Sequence, residues 1–159
     1  MIMKKIYLTL SLVIMMFVPS ITFGNVIDKL NEAGKFNKLN ETLAKSGLNE
    51  NLKGAGPFTV FAPLDDAFAA ISAKTYFGLL RDENKDKLVN ILGRHVFSKK
   101  ITSSEINGEI KLKAINGEEI TIKKVNGIVY INEAEVVTAD VEVSNGVIHY
   151  INRVLQPLK

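Results

Sequence analysis

The sequence predicts an α+β domain in which N-terminal helices pack on an antiparallel β wedge or sandwich. Apolar residues recur at three- and four-residue intervals in the first part of the chain, as they do in amphipathic helices. From Arg94 onward the apolar period changes to two, which is typical of strands with one buried face. Asn-Gly dipeptides, which favour hairpin turns, occur four times in this second half. They are Asn107-Gly108, Asn116-Gly117, Asn126-Gly127 and Asn145-Gly146.

Two short helices are predicted between residues 26 and 46. Gly34 interrupts the apolar pattern, and Gly47 suits a left-handed cap at the end of the second helix. The residues that define the two buried faces are Val26, Ile27, Leu30, Ala33, Phe36, Leu39, Leu43 and Ala44.

A buried strand is predicted at residues 58–62, where β-branched and aromatic residues stand between two prolines. Asp65 or Asp66 is expected to cap a following helix, because its carboxylate can accept hydrogen bonds from free backbone N–H groups. A further helix face ends near Gly93, before the β region begins.

The first 24 residues read as a secretory signal peptide. Two lysines precede an apolar run of about 13 residues, which is too short for a membrane anchor because a bilayer core needs roughly 20. Cleavage is expected after Gly24, with Ser20 as the alternative. The mature chain, residues 25–159, has the length of one domain. We therefore expect an exported protein, periplasmic or secreted, without stable membrane insertion after cleavage.

Composition narrows the possible functions. The chain has no cysteine, which excludes disulfides, thiol catalysis and thiolate metal sites. The formal charge of +3 falls to about +1 when the two leader lysines are removed. Lysines and glutamates are interspersed, so no basic stripe suited to a phosphate backbone is present. A nucleic-acid partner is not expected.

The two histidines, His95 and His149, are the candidate catalytic or metal-binding residues. A zinc site needs three or four ligands, so the two histidines would have to recruit carboxylates, for which Asp140 and Glu142 are available. A hydrolase built on Ser103 or Ser104 lacks the Gly-x-Ser-x-Gly frame. We therefore predict no catalytic residue, metal or cofactor, and buried histidines with hydrogen-bonded rings.

The aromatic cluster Phe58, Phe61 and Phe68 has two interpretations. The side chains could form a ligand-binding face, but aromatic residues in an apolar run more often belong to the core. We predict a core role for all three.

Two segments resemble the signature segments of the fasciclin domain family: GPFTVFAPLDDAF at residues 56–68 and SNGVIHYINRVLQP at residues 144–157. Residues 88–96 resemble the family's central helix and its histidine, and residues 137–141 resemble the approach to the second signature. The positions that carry the resemblance, expected to be mainly structural, are Gly56, Pro57, Phe58, Thr59, Phe61, Pro63, Asp65, Phe68, His95, Asn145, Gly146 and His149.

The resemblance implies a compact α+β fold with helices packed around a wedge-like sheet. It also implies a secreted or surface-attached protein that acts in adhesion, without a shared enzymatic activity. Three positions depart from the family pattern. Leu64 replaces a threonine or serine, Arg94 replaces a tyrosine before the histidine, and Asn152 replaces an aspartate.

The preferred functional hypothesis is an exported, non-enzymatic binding module for cell-surface or matrix adhesion or for protein–protein interaction. Its partner would be a surface protein, a glycan or a second copy of the chain, contacted through a region that includes His95, Asp140 and Val141. The alternative is a carrier of a small apolar ligand, or a stress-related envelope protein, with a cavity between the helices and the sheet.

Overall fold

The computed structural model describes residues 23–156, and the predicted leader lies outside the described residues except for its last two positions. Five α-helices and seven strands lie in this part of the chain. The helices are α1 (Val26–Ala33), α2 (Asn37–Ser46), α3 (Leu48–Leu52), α4 (Ala73–Leu79) and α5 (Lys85–Gly93). The strands are β1 (Phe58–Pro63), β2 (Val96–Phe97), β3 (Glu109–Lys113), β4 (Glu119–Val125), β5 (Ile128–Ile131), β6 (Ala134–Val143) and β7 (Gly146–Ile151). Short 3-10 helices occupy Asp65–Ala70, Asp82–Asn84 and Ser103–Glu105.

The seven strands form one nearly barrel-shaped sheet in the order β2-β1-β7-β6-β5-β4-β3. The α+β prediction is confirmed, with one difference in strand direction. β1 pairs with β7 in parallel, from Phe58 opposite Gly146 to Pro63 opposite Ile151, whereas every other pair is antiparallel. A hairpin forces neighbouring strands to run antiparallel, but β1 and β7 are separated by most of the domain and are free to run the same way.

The predicted helix breaks are confirmed. Gly34 ends α1 at φ 64° and Gly47 ends α2 at φ 81°, both in the left-handed region that glycine adopts without a steric penalty. At its other end α1 has a capping box, in which Asn25 and Asp28 exchange side-chain and backbone hydrogen bonds.

Asp65 caps a different helix from the one predicted. Its carboxylate accepts from the Lys38 backbone N–H at 2.9 Å and from the Asn37 side-chain amide at 2.9 Å, so it caps α2. The N-cap residue of α2 is Phe36, whose side chain has no hydrogen-bond acceptor, so the carboxylate of Asp65 takes the place of a local cap. The 3-10 helix that Asp65 begins has no side-chain cap.

Three of the four Asn-Gly dipeptides form the predicted hairpin turns, between β3 and β4, β4 and β5, and β6 and β7. Asn107-Gly108 does not, because it joins the 3-10 helix Ser103–Glu105 to β3 and has no strand before it. The interpretation of a β region from Arg94 onward was also too broad, since only Val96 and Phe97 pair before residue 109.

Two apolar cores lie on opposite sides of β1. The helices pack on one face, with residues such as Leu39 and Leu92, and the sheet folds around a second core that contains Ile122. Phe61 lies in the second core and is fully buried, and Phe68 lies in the first at 5% exposure. Phe58 is half-buried against the first core. The core role predicted for the three aromatic residues is confirmed.

The start of the described chain is tied to the β6–β7 turn. The Ser144 backbone N–H donates to the Gly24 carbonyl at 3.1 Å. A chain cut after Ser20 keeps this hydrogen bond, and a chain cut after Gly24 loses it. Within residues 23–156, no helix has both the length and the apolar character needed to cross a bilayer.

Candidate functional site

A β-bulge in β6 brings Asp140 to the surface. The β6–β7 register shifts between Val136 and Thr138 and again between Thr138 and Val141. Asp140 lies inside this irregularity with φ 60°, a conformation that aspartate tolerates better than most residues. Its carboxylate accepts from the Ser103 backbone N–H at 2.8 Å and from the Ser103 hydroxyl. The bulge therefore holds the 3-10 helix that Ser103 begins.

Two lysines complete this surface. The Lys124 ammonium donates to the Ser103 carbonyl at 3.1 Å, and Lys100 pairs with Glu142 at 2.7 Å. We call the region made of Lys100, Ser103, Lys124, Asp140 and Glu142 the bulge surface. It carries two cations and two carboxylates, so it is polar and nearly neutral.

The Asp140 carboxyl stays ionised. Burial alone would raise its pKa, but the hydrogen bonds from the Ser103 side chain and backbone, together with His149 and Lys124, hold it below the usual value. Val141, the next residue, is half-buried and packs its side chain against the helix-side core. Of the predicted pair, Asp140 is therefore the residue that faces solvent.

His149 fixes the bulge from beneath. Its Nδ1 accepts from the Asp140 backbone N–H at 3.1 Å, and its Nε2 donates to the Ile101 carbonyl at 2.7 Å. The ring stacks on Phe61 with centroids 5.0 Å apart, and burial lowers its pKa. The predicted burial and hydrogen bonding of His149 are confirmed. Its part in shaping the bulge was missed, because residues 101, 140 and 149 meet only through the fold.

His95 is also buried, at 2% exposure. Its Nδ1–H donates to the Ile91 carbonyl at 2.9 Å, while its Nε2 accepts from the Leu155 N–H at 2.9 Å. Burial lowers its pKa to about 4. Its predicted burial is confirmed, but a direct contact with a partner was the wrong expectation, since neither ring nitrogen reaches the surface.

Acid is expected to destabilise the domain through His95. Unfolded, this histidine takes up a proton below its ordinary pKa of 6.5, whereas in the folded protein it does so only near 4. Between pH 6.5 and pH 4 the unfolded state therefore binds more protons than the folded state. The free energy of unfolding falls as the pH drops through this range, by about 3 kcal/mol for this residue. Urea unfolding at pH 7.5, 5.5 and 4.5 measures the loss.

The variant His95→Gln isolates this contribution. Glutamine keeps a donor and an acceptor but does not titrate in this range. Its stability is expected to fall less steeply with acid than that of the original protein. Equal slopes for the two proteins would contradict the assignment.

Arg94, at the position of the family's tyrosine, is buried and not displayed on the surface. One guanidinium nitrogen donates to Glu118 Oε1 at 2.5 Å, and the Nε has no hydrogen-bond partner within the described chain. The arginine side chain is 6% exposed and the glutamate side chain 40% exposed. Since Arg94 is the C-cap residue of α5 and Glu118 lies in the β3–β4 turn, the ion pair links that turn to the C-terminal end of α5. Asn152, the third departure, lies on the surface, where its side chain accepts from the Glu135 N–H at 3.0 Å.

The bulge surface does not form a serine–histidine pair. The Ser103 hydroxyl donates to a carboxylate, and the nearby His149 nitrogen faces a backbone N–H. A histidine must accept the hydroxyl proton for a Ser-His-Asp mechanism. In the described part of the chain, no three acidic or histidine side chains are grouped as metal ligands.

A concave feature lies among the helices. It is a cavity of about 220 Å³. Its walls come from α2, α4, α5, the 3-10 helix Asp65–Ala70, the last residue of β1 and the segment after β7. Its apolar lining includes Phe68, Ile71, Leu79, Leu88, Ile91 and Leu92.

Most signature residues are inside the fold, in agreement with a structural role. Asn145 joins three elements, since its side chain accepts from the Val26 N–H at 3.0 Å and donates to the Leu52 and Gly54 carbonyls at 2.7 and 2.8 Å. Gly56 and Pro57 are exposed and Phe58 and Asp65 are half-buried. The buried signature residues are Thr59, Phe61, Pro63, Phe68, His95, Asn145, Gly146 and His149.

Comparisons with known proteins agree with this architecture. Protein sll1483 of Synechocystis sp. is 48% identical over 123 residues, which cover 77% of this chain and 67% of that protein. Transforming growth factor-beta-induced protein ig-h3 of Sus scrofa is 36% identical over 134 residues, which cover 84% of this chain and only 19% of that much longer protein.

A solved structure shows the same fold. The FAS1 domain pair from the insect cell adhesion molecule fasciclin I aligns with a TM-score of 0.75 at 22% identity, over 86% of this chain and 52% of that one. The family model of the fasciclin domain matches residues 34–157. This match spans both signature segments, and the chain belongs to the fasciclin domain family.

Proposed function

We propose that the protein is an exported, non-enzymatic binding module that acts in adhesion or protein–protein interaction. Its family membership and the description of the insect relative as a cell adhesion molecule support a binding role. The leader-like residues 1–24 support export to the periplasm or the exterior. The observation that carries the proposal is the bulge surface, where exposed charges are held on a rigid backbone.

The bulge surface suits recognition because it is already ordered. Asp140 and Ser103 are bonded to each other, and His149 supports their backbone from the core. A preorganised surface loses little conformational entropy when a partner binds, so its modest contacts produce more affinity. Its mixed charges suit a polar partner, which we propose to be a surface or matrix protein, with a glycan or a second copy as other outcomes of the test.

The hydrogen bonding supports a function without catalysis. Both histidines use both ring nitrogens inside the fold, and the group that accepts from the Ser103 hydroxyl is Asp140, whose lowered pKa makes it a weak base. A general base is most effective when its pKa lies near the working pH, and the pKa of Asp140 lies below even the usual value of a carboxyl group.

The substitution Asp140→Asn tests the surface. Asparagine also tolerates the left-handed backbone, so the bulge is retained while one negative charge is lost. We expect weaker capture of envelope or matrix proteins by the variant, measured by affinity capture at two salt concentrations. The matched control is Asp86→Asn, which removes an exposed carboxylate on α5.

Two results would count against the proposal. Equal capture by both variants and the unaltered protein would exclude the bulge surface as the contact. Failure of the unaltered protein to bind any surface protein, glycan or second copy would remove the adhesion function itself.

Carriage of a small apolar ligand is a second candidate function, which the 220 Å³ cavity favours. Cavities lined by apolar side chains stay dry and accept apolar molecules. Native mass spectrometry of protein purified from its own host is expected to show a bound small molecule. A bare polypeptide that also fails to bind added apolar compounds would contradict this candidate.

A further inference from the structure

The cavity has an apolar interior and a polar mouth. Its buried lining residues are mostly apolar, such as Phe68, Leu88 and Leu92. Three of its lining residues are exposed, and all three are polar: Thr75, Lys87 and Gln156. A ligand that fits this gradient has an apolar body and a polar head.

The few polar groups inside the cavity are already engaged. The Thr42 hydroxyl donates to the Leu39 carbonyl at 2.8 Å, and both His95 nitrogens are bonded to backbone. The Tyr76 hydroxyl donates to Glu41 at 2.6 Å, and burial with this contact raises its pKa. A polar group placed inside would lose its water without gaining a partner, which is unfavourable. The buried part of the ligand is therefore apolar.

The volume sets the size of that apolar part. An apolar cavity of roughly 150 Å³ accommodates benzene. By the same ratio, a cavity of 220 Å³ holds about nine carbons. This corresponds to a medium-length alkyl chain or one substituted ring, and not to a long-chain lipid.

The positive charge of Lys87 indicates which charge the polar head of the ligand carries. Lys87 is an exposed lining residue and has no ion-pair partner in residues 23–156, whereas the cation Arg81 pairs with Glu83 at 3.5 Å. A carboxylate at the mouth would pair with Lys87 while remaining in contact with water. An ammonium head would instead face a like charge.

We propose that the cavity binds a medium-chain carboxylate of about nine carbons, with its chain among α2, α4 and α5 and its head at Lys87. This inference rests on the carrier function proposed above and names the chemical class of the ligand. A neutral alcohol of the same length is the closest competitor, because it fills the cavity equally but cannot form the ion pair.

The experiment titrates the full mature chain with nonanoate and with nonanol, each below its aggregation concentration, by isothermal calorimetry. We expect nonanoate to bind more tightly than nonanol. Lys87→Gln is expected to weaken nonanoate binding about fivefold, the most that an exposed ion pair usually contributes, and to leave nonanol binding unchanged. The matched control Lys85→Gln, also exposed on α5 but absent from the lining, is expected to change neither.

A cavity-filling variant locates the ligand. Ile91→Phe adds volume to a half-buried lining residue and is expected to abolish binding of both compounds, with circular dichroism showing that the fold persists. Binding that survives this change in a folded protein would overturn the proposed location. Val154→Phe, at a lining residue in the segment after β7, repeats the test if the first variant does not fold.

The outcomes separate the two proposals. If neither compound binds, both the carrier function and this inference fail. If both bind equally and Lys87→Gln changes nothing, the carrier function stands and the carboxylate inference is overturned.

Discussion

Replacing Gly146 by alanine is expected to cost more than about 4 kcal/mol of folding stability and to leave little folded protein. A Cβ at this position would lie 1.8 Å from the Phe58 carbonyl oxygen, far inside any tolerated contact. Gly146 and Phe58 are partners in the parallel β1–β7 pair, so the clash cannot be relieved by rotating a side chain. Urea unfolding followed by circular dichroism measures the loss.

Gly127→Ala is the matched control. Gly127 also follows an asparagine in a hairpin turn, but nothing lies within 4 Å of the position of its Cβ. Its φ of +81° gives alanine a penalty of about 1–2 kcal/mol, from the left-handed backbone alone. Similar losses for the two variants would show that backbone conformation, and not the close approach of β1, makes glycine necessary at residue 146.

Changing Asn145 to aspartate is expected to have the second large effect, a loss of about 3–5 kcal/mol. The buried side chain donates to two carbonyls, and a carboxylate would place negative charge against both oxygens. Only the bond from the Val26 N–H would survive. Thermal or urea unfolding at neutral pH measures the change.

Asn126→Asp makes the same chemical change in another Asn-Gly turn. Asn126 is exposed with φ 51°, which aspartate tolerates, so the expected change is within about 0.5 kcal/mol. If Asn145→Asp were equally mild, the three hydrogen bonds of Asn145 could not be what joins the helices to the β6–β7 turn.

Local signals in the sequence predicted local structure well. Gly34 and Gly47 end helices because their backbone conformation is set by the residue itself. Asp65 shows the limit of this reasoning. An aspartate at this position indicates that its carboxylate caps a helix, but it does not indicate which helix is capped. The N-terminus that it caps lies 27 positions earlier in the chain and meets it only after folding. The parallel pairing of β1 with β7 could not be predicted for the same reason, because the two strands are far apart in sequence and meet only after folding.

The candidate sites were predictable only in part. Apolar neighbours indicated that His95 and His149 are buried, and the structure agrees. No pattern indicated that His149 supports Asp140, because a bulge has no fixed sequence signature and its hydrogen bonds join distant segments. The cavity lies among the helices, where the spacing of apolar residues indicates which face is buried but not how completely the faces fill the space between them.

The position of β7 determines how the domain would bear mechanical load. The chain at Val26 is bonded beside the start of β7, at Asn145, and it leaves the other end of that strand at Ile151. A pull between residues 26 and 151 therefore acts along β7, which lies between β1 and β6. In this direction the hydrogen bonds to both neighbours are sheared together and do not open one after another. A domain with this arrangement would resist tension that is applied between residues 26 and 151.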